Sequence, residues 1–358
     1  MKFVEIDDLQ DLALGAALLG SGGGGCPDYD LLMAEKHLME YGKVPLVDVA
    51  SLEDDALVLP IAFAGAPLVS AEMLPSGEEC SQLLKAVEEL TGRRPTHLMP
   101  AEIGGANSLC PFLFAARLKL LVLDADTIGR AFPEMQMSSC NLSKVPANPA
   151  FIADSMGNTL ILRANDANTM EMIARNAIVA MGSSALVGIY MMEGRVAKQA
   201  VIKGSVSLAM GLGRAIREAK ERGEEPIKPL IDSYGAAVLG TGVVDQIDQR
   251  IEGGFLNGSV SILTKGGTVS IQYQNEYLKA EINGETVALT PEIIALVDSE
   301  SFMPITSERL LFGTRVTVIS LPSPSIWMTE EGLKLVGPGY FGYEDVRCNE
   351  TCKEFEAI

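Results

Sequence analysis

Four consecutive glycines close the first helix-forming stretch of the chain, in Leu18-Leu19-Gly20-Ser21-Gly22-Gly23-Gly24-Gly25-Cys26-Pro27. Glycine loses more conformational freedom on folding than any other residue, so such a run is kept where the backbone takes a shape, or makes an approach, that a Cβ forbids. Asp7 or Asp8 can cap a helix reaching about Leu19, with Leu9, Leu12, Ala13, Ala16 and Leu19 on its buried side. The loop therefore follows a helix, whereas dinucleotide and P-loop fingerprints set their glycines between a strand and a helix. Ser21 to Cys26 also lacks the G-x-G-x-x-G spacing, and no Gly-Lys-Ser or Gly-Lys-Thr follows. No nicotinamide, flavin or nucleotide cofactor is expected. Two readings stay open: the bare amides of Gly22, Gly23, Gly24 and Gly25 form a nest for a carboxylate or polarised carbonyl, or the run is a surface turn.

Beyond the loop, helical and strand-like periods alternate. A helix is predicted from Tyr29 to Tyr41 with a glycine stop at Gly42, then a buried strand from Ala56 to Phe63, where Pro60 argues for an edge or an irregularity. A helix within Gly77 to Gly92, a strand from Thr96 to Met99, a helix through Arg117 and an apolar strand from Leu118 to Leu123 follow. Helices between strands in this order imply a layered α/β domain with a largely parallel or mixed sheet, which binds ligands outside the carboxyl ends of its strands. From about Gly240 short strand-like pieces are separated by Gly-Gly and Asn-Gly turns, Asn283-Gly284 being the clearest hairpin turn. The expected organisation is an α/β domain over 1–239, a β-rich second domain over 240–330, and a C-terminal segment over 331–358 that returns to the first.

Charge narrows the partners. Of 358 residues 47 are acidic and 28 basic, a formal net charge of -19, which works against nucleic acid or an anionic membrane as the main partner and favours a small molecule. The N-terminal segment lacks a basic, continuously apolar secretion signal, and no later segment reads as a membrane span, so a cytoplasmic location is expected. Six cysteines spread through a chain this long read as reduced thiols. Cys348 and Cys352 have no second pair, and only His37 and His97 are present, which disfavours a structural zinc site.

The chemistry-bearing residues gather where two predicted strands end. Glu102 lies in Pro100-Ala101-Glu102-Ile103-Gly104-Gly105-Ala106-Asn107, and Asp124, Asp126 and Glu134 lie in Asp124-Ala125-Asp126-Thr127-Ile128-Gly129-Arg130-Ala131-Phe132-Pro133-Glu134. Converging carboxylates from Glu102, Asp124 and Asp126 suit a hard divalent cation; without one they raise one another's pKa and form a general acid/base pair. Equally, Asp124 and Asp126 can cap loop amides and pair with Arg130. Asn107, Thr127 and Arg130 are candidates to orient a polar substrate, and Cys26 is a nucleophile only if loop amides stabilise its thiolate.

These segments, with Met73-Leu74-Pro75-Ser76-Gly77 and Gly337-Pro338-Gly339-Tyr340-Phe341-Gly342-Tyr343, resemble the S-methyl thiohydantoin desulfurase-like proteins, which are grouped with hydantoin-utilisation and hydantoinase/oxoprolinase proteins. The resemblance runs over nearly the whole chain. It implies an α/β first domain, a β-rich second one, and hydrolytic loss of a methylthio group from a cyclic ureide relative. The enzyme implied is hydrolase-like and acts on a small cyclic amide or thiohydantoin; the carboxylate cluster, not the resemblance, supplies the water activation, by Glu102 or Asp124, alone or through a divalent ion. The alternative is a noncatalytic ligand-binding or accessory subunit beside a hydantoinase-like partner. A homo-oligomer is the other expected protein association.

Overall fold

In the computed structural model, residues 2–65 and 75–343 are described, with the backbone of Glu354–Phe355. The Met73-Leu74 part of one family segment, Ala66-Pro67, Cys348 and Cys352 lie outside the described residues. The chain divides into two compact units, one from Met1–Gln10, Pro27–Ile128 and Glu134–Ser207, the other from Asp11–Cys26, Gly129–Pro133 and Leu208–Ile358.

The first unit is built on a mixed sheet. Its strands are β1 (Lys2–Val4), β2 (Val44–Val47), β3 (Leu57–Gly65), β4 (His97–Pro100), β5 (Leu121–Leu123), β6 (Ala125–Asp126), β7 (Ala150–Ala153), β8 (Thr159–Leu162), β9 (Ser184–Gly188), β10 (Met192–Glu193) and β11 (Ile202–Lys203). The main sheet runs β1-β2-β5-β4-β3-β9-β7-β8, with β10 beside β3, while β6 and β11 form a separate pair. β2, β5, β4 and β3 are parallel, and β3–β9, β9–β7 and β7–β8 are antiparallel. β4 and β7 are buried at every position, as expected where helices cover both faces. Val58, Met99, Leu123, Ile152 and Val187 share one core with Met170, Ala174 and Ile178 of the helix Ala167–Ala180.

Pro60 lies on an interior strand, since β3 has β4 on one side and β9 and β10 on the other. The irregularity is in its neighbour. β9 pairs with Ile61 to Gly65 and β10 with Leu57 and Val58, so the antiparallel partner breaks opposite the residue that has no N–H to give. Tyr190, with φ 54°, occupies that break.

The second unit holds an eight-stranded antiparallel sheet. Its strands are β12 (Ala237–Glu252), β13 (Phe255–Thr264), β14 (Gly267–Gln274), β15 (Glu276–Ile282), β16 (Glu285–Leu289), β17 (Ile293–Asp298), β18 (Pro304–Ile305) and β19 (Arg315–Leu321), in the order β16-β15-β14-β13-β12-β19-β17-β18. Asn283-Gly284 makes the turn between β15 and β16, both at positive φ. Val260, Ile262, Val269, Ile271, Ile294 and Val318 form its core. The α/β-plus-β architecture read from the sequence is the one observed. Among the described residues no helix is long and apolar enough to cross a membrane.

Candidate functional site

In the first unit the parallel strands deliver their following loops to one edge of the sheet. Glu102 is two residues beyond β4 and half-buried. Its Oε1 accepts a 2.8 Å hydrogen bond from Asn107 Nδ2. Asn107 is itself fixed at the end of β3: its Oδ1 accepts from Phe63 N at 2.7 Å, and its Nδ2 donates to Phe63 O at 3.0 Å. One amide side chain thus copies a strand-pairing partner and hands its remaining proton to Glu102. Phe63 also walls a small cleft, of about 10 Å³, whose other lining residues are Pro75, Glu79, Ser155, Ser184 and Ala185. Strand register explains the company, because Gly65 pairs with Ser184 and Ala153 with Leu186, which brings the ends of β3 and β7 and the start of β9 together.

Asp124 and Asp126 hold loops. Asp124 is at the N-terminus of the helix Ser205–Glu221, where its Oδ1 accepts from Ser207 N at 2.9 Å and its Oδ2 from Ser207 Oγ at 2.6 Å. Carboxylates at helix N-termini are favoured by the exposed amides and the helix dipole. Asp126 is fully buried, and its Oδ2 accepts from Ile103 N at 2.9 Å and Ile128 N at 3.0 Å. The residue after Glu102 is therefore pinned by Asp126. Thr127 donates its hydroxyl to Ala101 O at 2.7 Å, a second tie on the same loop. The cap roles considered for Asp124 and Asp126 are thus present.

The carboxylates do not assemble as a cation site. Among the described residues no group of three or more His, Cys, Asp or Glu side chains could hold a metal ion. Asp124 spends both oxygens on Ser207, and Asp126 Oδ2 already takes two amides. The set Glu102, Asp124 and Asp126 expected as metal ligands does not fit a divalent ion.

The other predicted site residues belong to the second unit. Gly22 and Gly23 sit where a Cβ would meet the ring of Tyr277 at 2.4 Å and Glu276 Oε1 at 2.0 Å. Gly22, Gly24 and Gly25 have φ of 82°, 71° and 76°. Ser21 locks the loop down, its Oγ bonded to Tyr277 O, Ile294 O and Ile294 N at 3.0–3.1 Å. Arg130 is fully buried; its Nε donates to Ala131 O and its Nη1 to Pro291 O and Glu292 O at 2.7–2.9 Å. Its guanidinium stacks over Phe132 with 4.5 Å to the ring centroid. Burial lowers its pKa to about 10, with Glu276 opposing the shift. These contacts give the loop and Arg130 packing roles within this unit.

Two residues escaped sequence reasoning. Glu79 lines the cleft, and its carboxylate accepts Ser76 N at 2.6 Å and Gly77 N at 2.9 Å; the Ser76-x-x-Glu79 spacing is a capping-box signature that marks it. Asp30, half-buried in the helix Asp28–Tyr41, has its carboxyl pushed up to about 6 by desolvation. Cys80, Cys110 and Cys140 are buried free thiols whose pKa values burial raises, which makes them poor nucleophiles. Cys26 is half-buried and forms no disulfide among the described residues.

Two family models cover the chain, the S-Me-THD-like N-terminal domain over residues 7–164 and the S-Me-THD-like C-terminal domain over 164–351. The chain belongs to the S-Me-THD-like family. A crystal structure of a protein from Chromobacterium violaceum has the same fold, with a TM-score of 0.78 at 24% identity over 96% of this chain and 98% of that one. No curated protein matches the chain.

Proposed function

We propose that this member of the S-Me-THD-like family is a small-molecule hydrolase acting on a cyclic amide, with Glu102 as the base that activates water. The observation that carries the reading is the Glu102–Asn107–Phe63 chain of hydrogen bonds at the carboxyl edge of β3 and β4. A carboxylate held by a clamped amide keeps its orientation when substrate enters, and general-base catalysis requires this. The cleft that Phe63 also lines has space for about one water molecule, about 10 Å³.

The substrate class the family name supports is an S-methyl thiohydantoin. Water attacks the ring carbon that bears sulfur while Glu102 accepts its proton. The tetrahedral adduct then collapses with cleavage of the carbon–sulfur bond; its hydroxyl proton passes to the ring nitrogen, and the proton held by Glu102 goes to the departing sulfur. The products are methanethiol and the hydantoin, so one water is consumed and no redox change occurs. Asp126 and Thr127 are positioning residues in this scheme, acting through the backbone on either side of Glu102.

A turnover screen on hydantoins and their S-methylthio analogues, with thiol release read by a chromogenic disulfide, tests the proposal. Glu102→Gln is expected to lower kcat by about 10²–10⁴, the usual worth of a general base, with an unchanged unfolding midpoint. Full activity in Glu102→Gln refutes the assignment. Tight binding of these rings without turnover by the wild type identifies the protein as the accessory binding subunit instead.

A further inference from the structure

The solvent face of the helix Ala167–Ala180 differs from those of two other helices of the first unit. Its exposed residues are Asn168, Met172, Ile173, Asn176, Val179 and Ala180, none of them charged. Met172 is 59% and Val179 62% exposed. On the helix Glu79–Thr91 the exposed residues include Lys85, Glu88 and Glu89, and on Asp28–Tyr41 they include Asp28, Lys36 and Glu40. The ionic residues of the uncharged helix pair with each other, Arg175 donating to the carboxylate of Glu171, whose side chain is 8% exposed.

Beside this helix the sheet ends. Leu160 and Leu162 of β8 pack against the same core as the helix's inner face, and β8 is the terminal strand, with no partner beyond it among the described residues. Natural edge strands are blunted by lysine, proline, bulges or inward charges. Thr159-Leu160-Ile161-Leu162 has no charge and no proline, and its pairing with β7 is regular.

We propose that this face is where a second copy of the chain docks, β8 pairing antiparallel with its symmetry mate and helix Ala167–Ala180 lying against helix Ala167–Ala180. Two arguments favour a second copy over another protein. At a net charge of -19 two copies repel wherever charged faces meet, and an uncharged face is where they can approach; a partner recognised by charge has nothing to read there. An unguarded edge strand is also self-complementary about a two-fold axis, which is the symmetry a closed dimer needs. The patch offers roughly ten residues a side, against about 20–30 in a standard interface, so the dimer is reversible.

Sedimentation velocity over roughly 1–100 µM, around the micromolar dissociation constants of weak complexes, is expected to show a monomer–dimer equilibrium that strengthens with added salt as repulsion is screened. Met172→Glu and Val179→Glu each place two like charges in the interface and are expected to raise the dissociation constant at least about tenfold. Thr91→Glu adds the same charge to the exposed end of Glu79–Thr91 and leaves the constant unchanged. Thermal unfolding of each variant confirms that the fold is intact. A monomer throughout the range, an assembly larger than a dimer, or a dimer indifferent to both helix variants overturns the proposal.

Discussion

Replacing Gly22 with alanine tests what the glycine run is for. The new methyl group would stand 2.4–2.7 Å from three carbons of the Tyr277 ring. That ring cannot swing aside: Tyr277 is fully buried, its hydroxyl donates to Ile305 O at 3.0 Å, and Tyr273 packs edge-on with centroids 6.0 Å apart. Overpacking a rigid site costs about 1–3 kcal/mol, and holding alanine at φ 82° adds about 1–2 kcal/mol. The total, about 2–5 kcal/mol, corresponds to a midpoint fall of roughly 4–20 °C at about 2–4 °C per kcal/mol for a domain of this size. Gly253→Ala separates the two contributions, because Gly253 has φ 61° but its nearest neighbour would be Phe255 Cδ2 at 3.9 Å; it should lose only the backbone part, about 1–2 kcal/mol. Thermal and urea unfolding of both variants provide the measurement. Gly22→Ala as mild as Gly253→Ala, accompanied by loss of ligand binding, would refute the packing account and restore the anion-cradle reading.

Three further outcomes are expected. Arg130→Met should destabilise by about 3–5 kcal/mol, because Glu276 then loses the buried cation that opposes it and three carbonyls lose donors; Arg130→Lys should fail to rescue, since an ammonium cannot reproduce the fork, and activity loss without a stability change in either variant would argue for a substrate role. Asp30, with a folded pKa of about 6 against an ordinary 3.8, binds its proton more tightly in the folded state, so its contribution is greatest below about pH 4 and is lost as pH rises to about 6. The change is about 2–3 kcal/mol, Asp30→Asn should remove it, and urea titrations at several pH values that keep the slope in the variant would exclude Asp30 as its source. Asp126→Asn should cost about 1–3 kcal/mol by weakening two buried amide bonds and lower kcat through displacement of Glu102, whereas a kcat loss at full stability would point to direct participation.

The sequence made the alternation of helices and strands legible because covered strands and amphipathic helices leave local periods. Asn283-Gly284 was legible for the same reason, its turn chemistry being contained in two residues. Pro60 was ambiguous because the break that accommodates it lies in Ile189 to Met191, remote in the chain. The glycine run announced a missing Cβ but not its cause, since Tyr277 and Glu276 are some 250 residues away. The polar cluster after Leu123 was visible as a cluster, yet its bonds run to Ser207 and Ile103, partners that only the tertiary fold selects. Glu102 and Asn107 are five residues apart, and their pairing was within reach of local reasoning; the clamp on Phe63 was not.

The order of strands in the mixed sheet bears on how the chain can be divided. The two family models meet at residue 164, just after β8, whereas β9 begins at Ser184 and pairs with both β3 and β7. A fragment ending at residue 164 would keep β3 and the β7–β8 hairpin but lack the strand that joins them. Such a fragment should aggregate through its open edges when expressed alone, and co-expression with the remainder should recover soluble material by returning β9 to its slot. The sequence boundary would then mark a seam of descent, and the smallest self-sufficient piece would have to extend beyond Gly188.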